Sequence, residues 1–120
     1  MHAVGAGVDT FDCATPTRLA RHGTALVYDP LNRWRLDLGK AVHRTSSEPI
    51  DATCACPACR GHTRGYLHYL IKAGELTGKR LVTLHNLTFM ERLMRELRES
   101  IAAGSYAEQA ERVLGGAFAP

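Results

Sequence analysis

Residues 54–59 read Cys54-Ala55-Cys56-Pro57-Ala58-Cys59, and this stretch constrains the fold more than any other. It holds three of the chain's four cysteines at the spacing C-x-C-x2-C. In a chain without a secretion signal, clustered cysteines more often bind a metal or do redox chemistry than form structural disulfides. Zinc takes four soft or borderline ligands in a tetrahedron, so the spacing predicts a zinc site that needs one more ligand.

The residues alone leave the fourth ligand open. The candidates are one remote cysteine and three histidines, namely Cys13, His62, His68 and His85. His62 follows the last cysteine so closely that it would strain a turn already holding three ligands. We expect His68 inside a helix, away from its apolar stripe, and His85 where the chain returns after a helical excursion. Spacing therefore favours His85 without excluding the others.

Buried hydrophobic cysteines or a redox couple are the alternatives to a metal site. Three cysteines within six residues, with few apolar neighbours, fit either alternative poorly. Four protein ligands leave no open coordination position. The zinc is therefore expected to hold structure and not to activate water.

Short elements are predicted before the cysteines. Residues 8–11 predict a strand buried on both faces, and because nothing before it could pair with it, we expect the chain to be the C-terminal part of a larger protein. Thr15-Pro16 predicts the start of a helix over residues 16–22. The segments 25–28 and 34–38 predict a hairpin, and the polar sequence that follows it predicts a loop.

After the cysteines the pattern becomes helical. Apolar spacing predicts a helix over residues 66–76 that Gly78 ends, followed by an extended connector over residues 80–84. The strongest helical pattern lies between Asn86, as a capping residue, and Gly104, as the stop. Its expected apolar face consists of Leu87, Met90, Leu93, Met94, Leu97 and Ile101. A last helix is expected over residues 105–114.

Composition places the chain among globular proteins. It has 120 residues, of which 45% are hydrophobic and 22% charged, and this argues against disorder or a fibrous repeat. No apolar run approaches the roughly 20 residues that span a bilayer, and the N-terminus lacks the pattern of a signal peptide. The expectation is a soluble, cytoplasmic protein without a membrane partner.

The net charge of +3 is modest but unevenly distributed. Between Thr17 and Arg44 there are six basic and two acidic residues, a local excess of +4. Such a patch can contact phosphates. Charge alone, however, favours a solvated surface with no partner.

Four stretches of the chain are informative when taken together and in order. They are Gly7-Val8-Asp9-Thr10-Phe11-Asp12-Cys13-Ala14-Thr15-Pro16-Thr17-Arg18, Cys54-x-Cys56-x2-Cys59, Tyr66-Leu67-His68-Tyr69-Leu70 and His85-Asn86-Leu87. Over nearly the whole chain, this set closely resembles the C-terminal part of tRNA-guanine transglycosylases (queuine tRNA-ribosyltransferases), in a bacterial form. The combination is far more specific than a zinc knuckle alone.

The resemblance implies a fold of the α/β class. The chain would be the C-terminal part of a (β/α)8 barrel with a zinc-binding subdomain, and it would look like an α+β domain in isolation. Residues 1–24 would form the last barrel strand and the nucleophile loop. Residues 25–85 would form the hairpin and the zinc-binding subdomain, and residues 86–120 the C-terminal helices.

The resemblance also implies an activity. The family exchanges guanine at the tRNA anticodon wobble position for a 7-deazaguanine base, in the queuosine pathway, through a covalent aspartyl-ribosyl intermediate. By motif, Asp12 is the nucleophile, and Arg18 and Arg21 contact the anticodon stem-loop. The implied zinc ligands are Cys54, Cys56, Cys59 and His85. A homodimer is also implied. Without the resemblance, Asp12 would be interpreted as a carboxylate capping the turn that follows it.

Some family features have no counterpart in the sequence. The second catalytic aspartate and the residues lining the base pocket lie upstream of the position matching Gly7, and residues 31–43 depart from the family pattern. We therefore expect roughly the last third of the enzyme, inactive in isolation. The alternative is a non-catalytic, zinc-stabilised RNA-binding or dimerisation module.

Overall fold

The computed structural model describes residues 1–115, a mixed domain of helices and one small sheet. The helices are α1 (His2–Gly5), α2 (Thr15–Arg21), α3 (Pro57–Gly61), α4 (Arg64–Lys72), α5 (Leu76–Ala102) and α6 (Tyr106–Leu114). The strands are β1 (Thr24–Leu26) and β2 (Arg35–Asp37), and single 3-10 turns occur at Pro30–Asn32 and Ala41–His43. The expected α+β appearance is confirmed. Residues 116–120 of the predicted C-terminal part lie outside the described residues.

The predicted hairpin is present. β1 and β2 are antiparallel, and Ala25 lies opposite Leu36 at the centre of the register. Asp29 accepts a hydrogen bond from the Leu31 amide at 3.1 Å and so fixes the turn between the strands. The predicted helix before the hairpin is α2, and Gly23 follows it at a φ of +78°, a conformation that favours glycine.

Helix α5 is the central element of the fold. It contacts α2, α3, α4, α6 and β1. Leu81 and Val82 on α5 join a core cluster drawn from the segments between α2 and α4. The other buried members of this cluster are Ala20, Ala25, Leu38, Ile50, Cys56, Ala58, Leu67 and Leu70.

The prediction of an extended connector over residues 80–84 is wrong. α4 ends at Lys72, Gly74 takes a φ of +73°, and α5 runs unbroken from Leu76. Gly78 therefore lies inside α5 and does not end a helix. It is there because α4 packs closely: a Cβ at Gly78 would lie 2.8 Å from the Leu70 Cβ.

The predicted apolar face of the long helix is also displaced. Leu87 and Ile101, assigned to the buried face, are 47% and 53% exposed. The fully buried positions of α5 include Val82, His85 and Asn86. Leu97 of the predicted face is buried, but two of these three residues are polar, so a pattern built from aliphatic residues alone misses part of the buried face.

The predicted buried strand at residues 8–11 is absent. Residues 8–14 have no regular structure, and Val8 and Phe11 are 42% and 53% exposed. A strand needs partners along its edges, and none of the described residues supplies one. His2–Gly5 make the single turn α1, after which the Val8 amide donates to the Ala3 carbonyl.

Within residues 1–115, no helix combines the length and the apolar character that a bilayer crossing requires.

The close approach at Gly78 gives a testable prediction. Replacing Gly78 by Ala should destabilise the fold by about 1–3 kcal/mol, because the new methyl group would overlap Leu70. Helix propensity alone predicts the opposite sign, since Ala is favoured over Gly inside a helix. Chemical denaturation checks the change in the free energy of unfolding.

Gly61→Ala is the matched control for this measurement. No atom lies within 4 Å of a Cβ built at Gly61, so this variant should be as stable as the wild type or slightly more so. A stable Gly78→Ala variant would show that α4 and α5 can separate without cost.

Candidate metal centre

The three clustered cysteines form a tight turn that leads into α3. Pro57 occupies the first turn of α3, where its missing amide hydrogen costs nothing. Cys56 is the N-cap residue, and its Sγ accepts a hydrogen bond from the Cys59 amide at 3.4 Å. This turn brings the sulfur atoms of Cys54, Cys56 and Cys59 to one side of the chain.

Helix α5 supplies the fourth group. Because α3 packs against α5, the His85 Nδ1 lies 3.3 Å from the Cys59 Sγ and 3.5 Å from the Cys56 Sγ. One ligand atom from each of Cys54, Cys56, Cys59 and His85 lies within 4.8 Å of the others, so the group can hold a metal ion. His85, which the spacing favours as the fourth ligand, is the histidine of this group.

The spacing of these atoms fits a tetrahedral zinc site. With Zn–S near 2.3 Å and Zn–N near 2.1 Å, ligand atoms at the corners of a tetrahedron stand about 3.6 Å apart. The two sulfur–nitrogen distances of 3.3 and 3.5 Å are close to that value. Three thiols and one imidazole are also a donor set that zinc prefers, and with four protein ligands the coordination sphere is closed.

A hydrogen bond at Nε2 of His85 determines that the other ring nitrogen, Nδ1, presents its lone pair to the sulfurs. The His85 Nε2 lies 2.8 Å from the Leu26 carbonyl oxygen. A carbonyl only accepts, so Nε2 carries the hydrogen and donates it, which leaves Nδ1 unprotonated and directed at the cysteines. His85 is fully buried, so both the ring orientation and the tautomer are set by the fold.

The crowded sulfurs have unequal acidities. A hydrogen bond from the Cys59 thiol lowers the pKa of Cys56, and the same contact raises the pKa of Cys59. Burial raises the pKa of Cys54. The turn therefore favours a thiolate at Cys56, and thiolate is the form that binds metal.

The other candidate ligands lie elsewhere. His62 stacks on the Tyr66 ring, with the centroids 5.3 Å apart. His68 is buried, and its Nδ1 lies 2.7 Å from the Leu38 carbonyl oxygen. Cys13 is exposed, and its thiol donates to the Thr15 hydroxyl at 2.9 Å.

Asn86 is a buried residue whose role the sequence analysis missed. Its Oδ1 accepts from the Leu26 amide at 2.8 Å, and its Nδ2 donates to the Thr24 and Pro16 carbonyls at 3.1 and 2.9 Å. It was expected to cap a helix but lies inside α5. No local pattern marks this role, because its partners Leu26, Thr24 and Pro16 lie 60 to 70 residues away in the sequence.

His85 and Asn86 together occupy the outer edge of β1. On the other edge, which faces the β2 side of the hairpin, the Val27 amide donates to the Trp34 carbonyl and the Leu38 amide donates to the Gly23 carbonyl. In an antiparallel pair, alternate residues direct their amide and carbonyl groups away from the partner strand. Those outward groups, which belong to Thr24 and Leu26, are the ones that the two α5 side chains bind.

The remaining residues whose roles the family resemblance implies lie on α2 and in the segment before it. Arg18 and Arg21 are exposed on α2, the helix whose Pro16 carbonyl Asn86 holds. Asp12 lies in the exposed segment just before α2. It does not cap the helix: Ala14 is the N-cap residue and no side chain caps α2. Asp12, Arg18 and Arg21 are exposed within one short stretch of sequence, and none of them belongs to the metal group.

Comparison with known proteins gives a consistent result. A family model described as queuine tRNA-ribosyltransferase matches residues 1–117. A queuine tRNA-ribosyltransferase from Roseiflexus sp. (strain RS-1) is 48% identical over 115 residues, which are 96% of this chain and 29% of the relative. Proteins of that name from Sorangium cellulosum and Thermotoga petrophila are 47% and 42% identical, over 99% and 95% of this chain. The chain spans 29% and 30% of their lengths.

The geometry of the metal group predicts one tightly held zinc per chain. Cys56→Ser should lose both the metal and cooperative unfolding, because the metal joins the 54–59 turn to α5. Elemental analysis and thermal unfolding of the purified chain check both effects. Cys13→Ser is the control and should keep the metal. A metal-free protein with unchanged melting would contradict the prediction.

Proposed function

This chain belongs to the queuine tRNA-ribosyltransferase family, and we propose that it serves as the nucleophile-bearing and zinc-binding part of a tRNA-guanine transglycosylase. The enzyme would exchange guanine at the anticodon wobble position of tRNA for a 7-deazaguanine base. The observation that carries the proposal is the position of Asp12 directly before α2, whose exposed face carries Arg18 and Arg21. A nucleophile and two cations on one short stretch suit attack on a phosphate-linked sugar.

The proposed chemistry is a double displacement at the ribose. The Asp12 carboxylate attacks C1′, the bond from C1′ to the guanine nitrogen breaks, and an ester joins the ribose to Asp12. A general acid outside residues 1–120 protonates the departing guanine. The incoming base then attacks C1′ through a ring nitrogen, gives the proton of that nitrogen to the same acid/base group and expels the carboxylate, so two inversions retain the configuration, as in retaining glycosidases. The target nucleotide must leave its stack for the carboxylate to reach it.

Several parts of the complete enzyme belong to this proposal. A (β/α)8 barrel would contain residues 1–24 as its last strand and nucleophile loop, which places Asp12 where barrel active sites form. Residues 25–85 and 86–120 would be the zinc-binding subdomain and the C-terminal helices, with α5 continuing across both. The barrel would supply the base pocket, and the assembly would be a cytoplasmic homodimer.

Zinc is the metal we propose for the cluster. When bound, it would supply a closed, redox-inert cross-link between the 54–59 turn and α5. The chain's own residues would connect this cross-link to α2, the helix that carries Arg18 and Arg21. His85 and Asn86 bind β1, and Asn86 also binds the Pro16 carbonyl of α2. Four protein ligands would close the coordination sphere, so the metal would have a structural role and not a catalytic one.

A second candidate function is a zinc-stabilised RNA-binding or dimerisation module without catalysis. The exposed, irregular segment around Asp12 favours it for this chain on its own, because a nucleophile needs fixed surroundings to align with C1′. The two functions differ in whether an upstream barrel restores turnover.

RNA binding is predicted to depend on α2. Changing Arg18 and Arg21 together to Ala should weaken binding to an anticodon stem-loop and make the dependence on salt shallower, because two phosphate contacts are lost. Fluorescence anisotropy at several salt concentrations measures both quantities. Equal binding by the wild type and the double variant at every salt concentration would leave these arginines without a role.

Catalysis is predicted to require both Asp12 and an upstream barrel. The 120-residue chain alone should exchange no guanine, because positioning supplies about 7–11 kcal/mol of a barrier and the base pocket is missing. A chimera carrying the upstream part of the Roseiflexus relative should recover exchange of radiolabelled guanine. Asp12→Asn in that chimera should abolish it.

Two results would contradict this prediction. Exchange by the chain alone would show that its own residues complete the site. Full activity of the Asp12→Asn chimera would show that another group is the nucleophile.

A further inference from the structure

Helix α2 packs against α5, and the chain just past its end lies beside α4. At the start of α2, the Pro16 carbonyl accepts from Asn86 at 2.9 Å. Just past its end, a Cβ at Gly23 would lie 2.8 Å from the Ile71 Cγ2, and Ile71 also packs at Gly78. Gly23 and the first turn of α5 therefore both approach Ile71 on α4.

Three helix ends meet at this place. They are the C-terminal end of α2, the C-terminal end of α4 beside Ile71, and the N-terminal end of α5 around Gly78. The approach is close, since a Cβ at Gly78 would lie 3.4 Å from the Ile71 backbone nitrogen. Residues that are far apart in sequence thus share one corner of the surface.

This corner is rich in cations. We define the basic corner as the basic residues at the three helix ends, namely Arg21, His22, Lys72, Lys79 and Arg80. Four of these are exposed and Lys79 is half-buried. Glu75, before the first turn of α5, is an acidic residue in the same region. Within residues 1–115, none of the corner's cations takes part in a salt bridge.

We infer that the basic corner binds backbone phosphates of the RNA, extending the contact surface of α2 through Lys72 and Lys79. The inference rests on the proposed function and adds two residues on α4 and α5 that the α2 motif does not contain. Lysine ammonium groups bind phosphate as point charges and need no fixed geometry, so flexible side chains at a helix end suffice. A cation without an acidic partner also has no competing ion pair to break when phosphate binds.

The test compares two double variants that change the net charge equally. One is Lys72→Ala with Lys79→Ala. The control is Arg95→Ala with Arg98→Ala, exposed residues of α5 that lie roughly 25 Å along the helix from Gly78. Binding of the full chain to a labelled anticodon stem-loop is measured by anisotropy at several salt concentrations. Metal content and thermal unfolding confirm that each variant is folded.

The lysine double variant should show a shallower dependence on salt: the magnitude of the negative slope of log affinity against log salt should fall by about 1.5, because two phosphate contacts are lost. Its affinity at low salt should fall roughly tenfold. The arginine pair should leave both unchanged. Equal slopes for the lysine variant and the wild type overturn the inference, as does equal weakening by the two pairs, which would reflect net charge only. If the wild type binds no stem-loop, both this inference and the RNA-binding part of the proposed function fail.

Discussion

The pairing of His85 and Asn86 with the outer edge of β1 is the interaction on which the rest of the structure depends. The edge of a strand carries unpaired amide and carbonyl groups that must find partners when they are buried. Here two consecutive side chains of a helix supply them, where another strand would normally lie. Asn86 acts as a short substitute for a strand, because its amide both accepts from Leu26 and donates to Thr24.

The same two residues connect the metal group to the helix proposed to bind RNA. His85 contacts the sulfurs through Nδ1 and the Leu26 carbonyl through Nε2, so one ring is shared between the metal turn and the hairpin. Asn86 extends the connection to Pro16 at the start of α2. The cysteine turn, β1 and α2 are therefore all positioned by bonds to the same two residues of α5. The position of α2 thus depends on the helix that also forms the metal group.

The sequence predicted the elements whose signals are local. The cysteine spacing, the start of α2 at Thr15-Pro16 and the hairpin follow from short-range chemistry, and the structure has them. The start of α5 could not be predicted, because Gly78 is read as a stop unless the close approach of Leu70 is known. Asn86 was missed for a related reason: its partners lie 60 to 70 residues away, and local propensity cannot reveal them.

These separations also bear on the order in which the chain folds. Contacts between residues close in sequence form early, because the entropy lost in closing a loop grows with its length. The sulfur and nitrogen atoms of the metal group are brought together across 26 residues between Cys59 and His85. The bonds of the same helix to β1 and Pro16 close loops of 59 to 70 residues. We therefore expect α4, α5 and the cysteine turn to assemble first, and the hairpin and α2 to dock onto that preformed face afterwards.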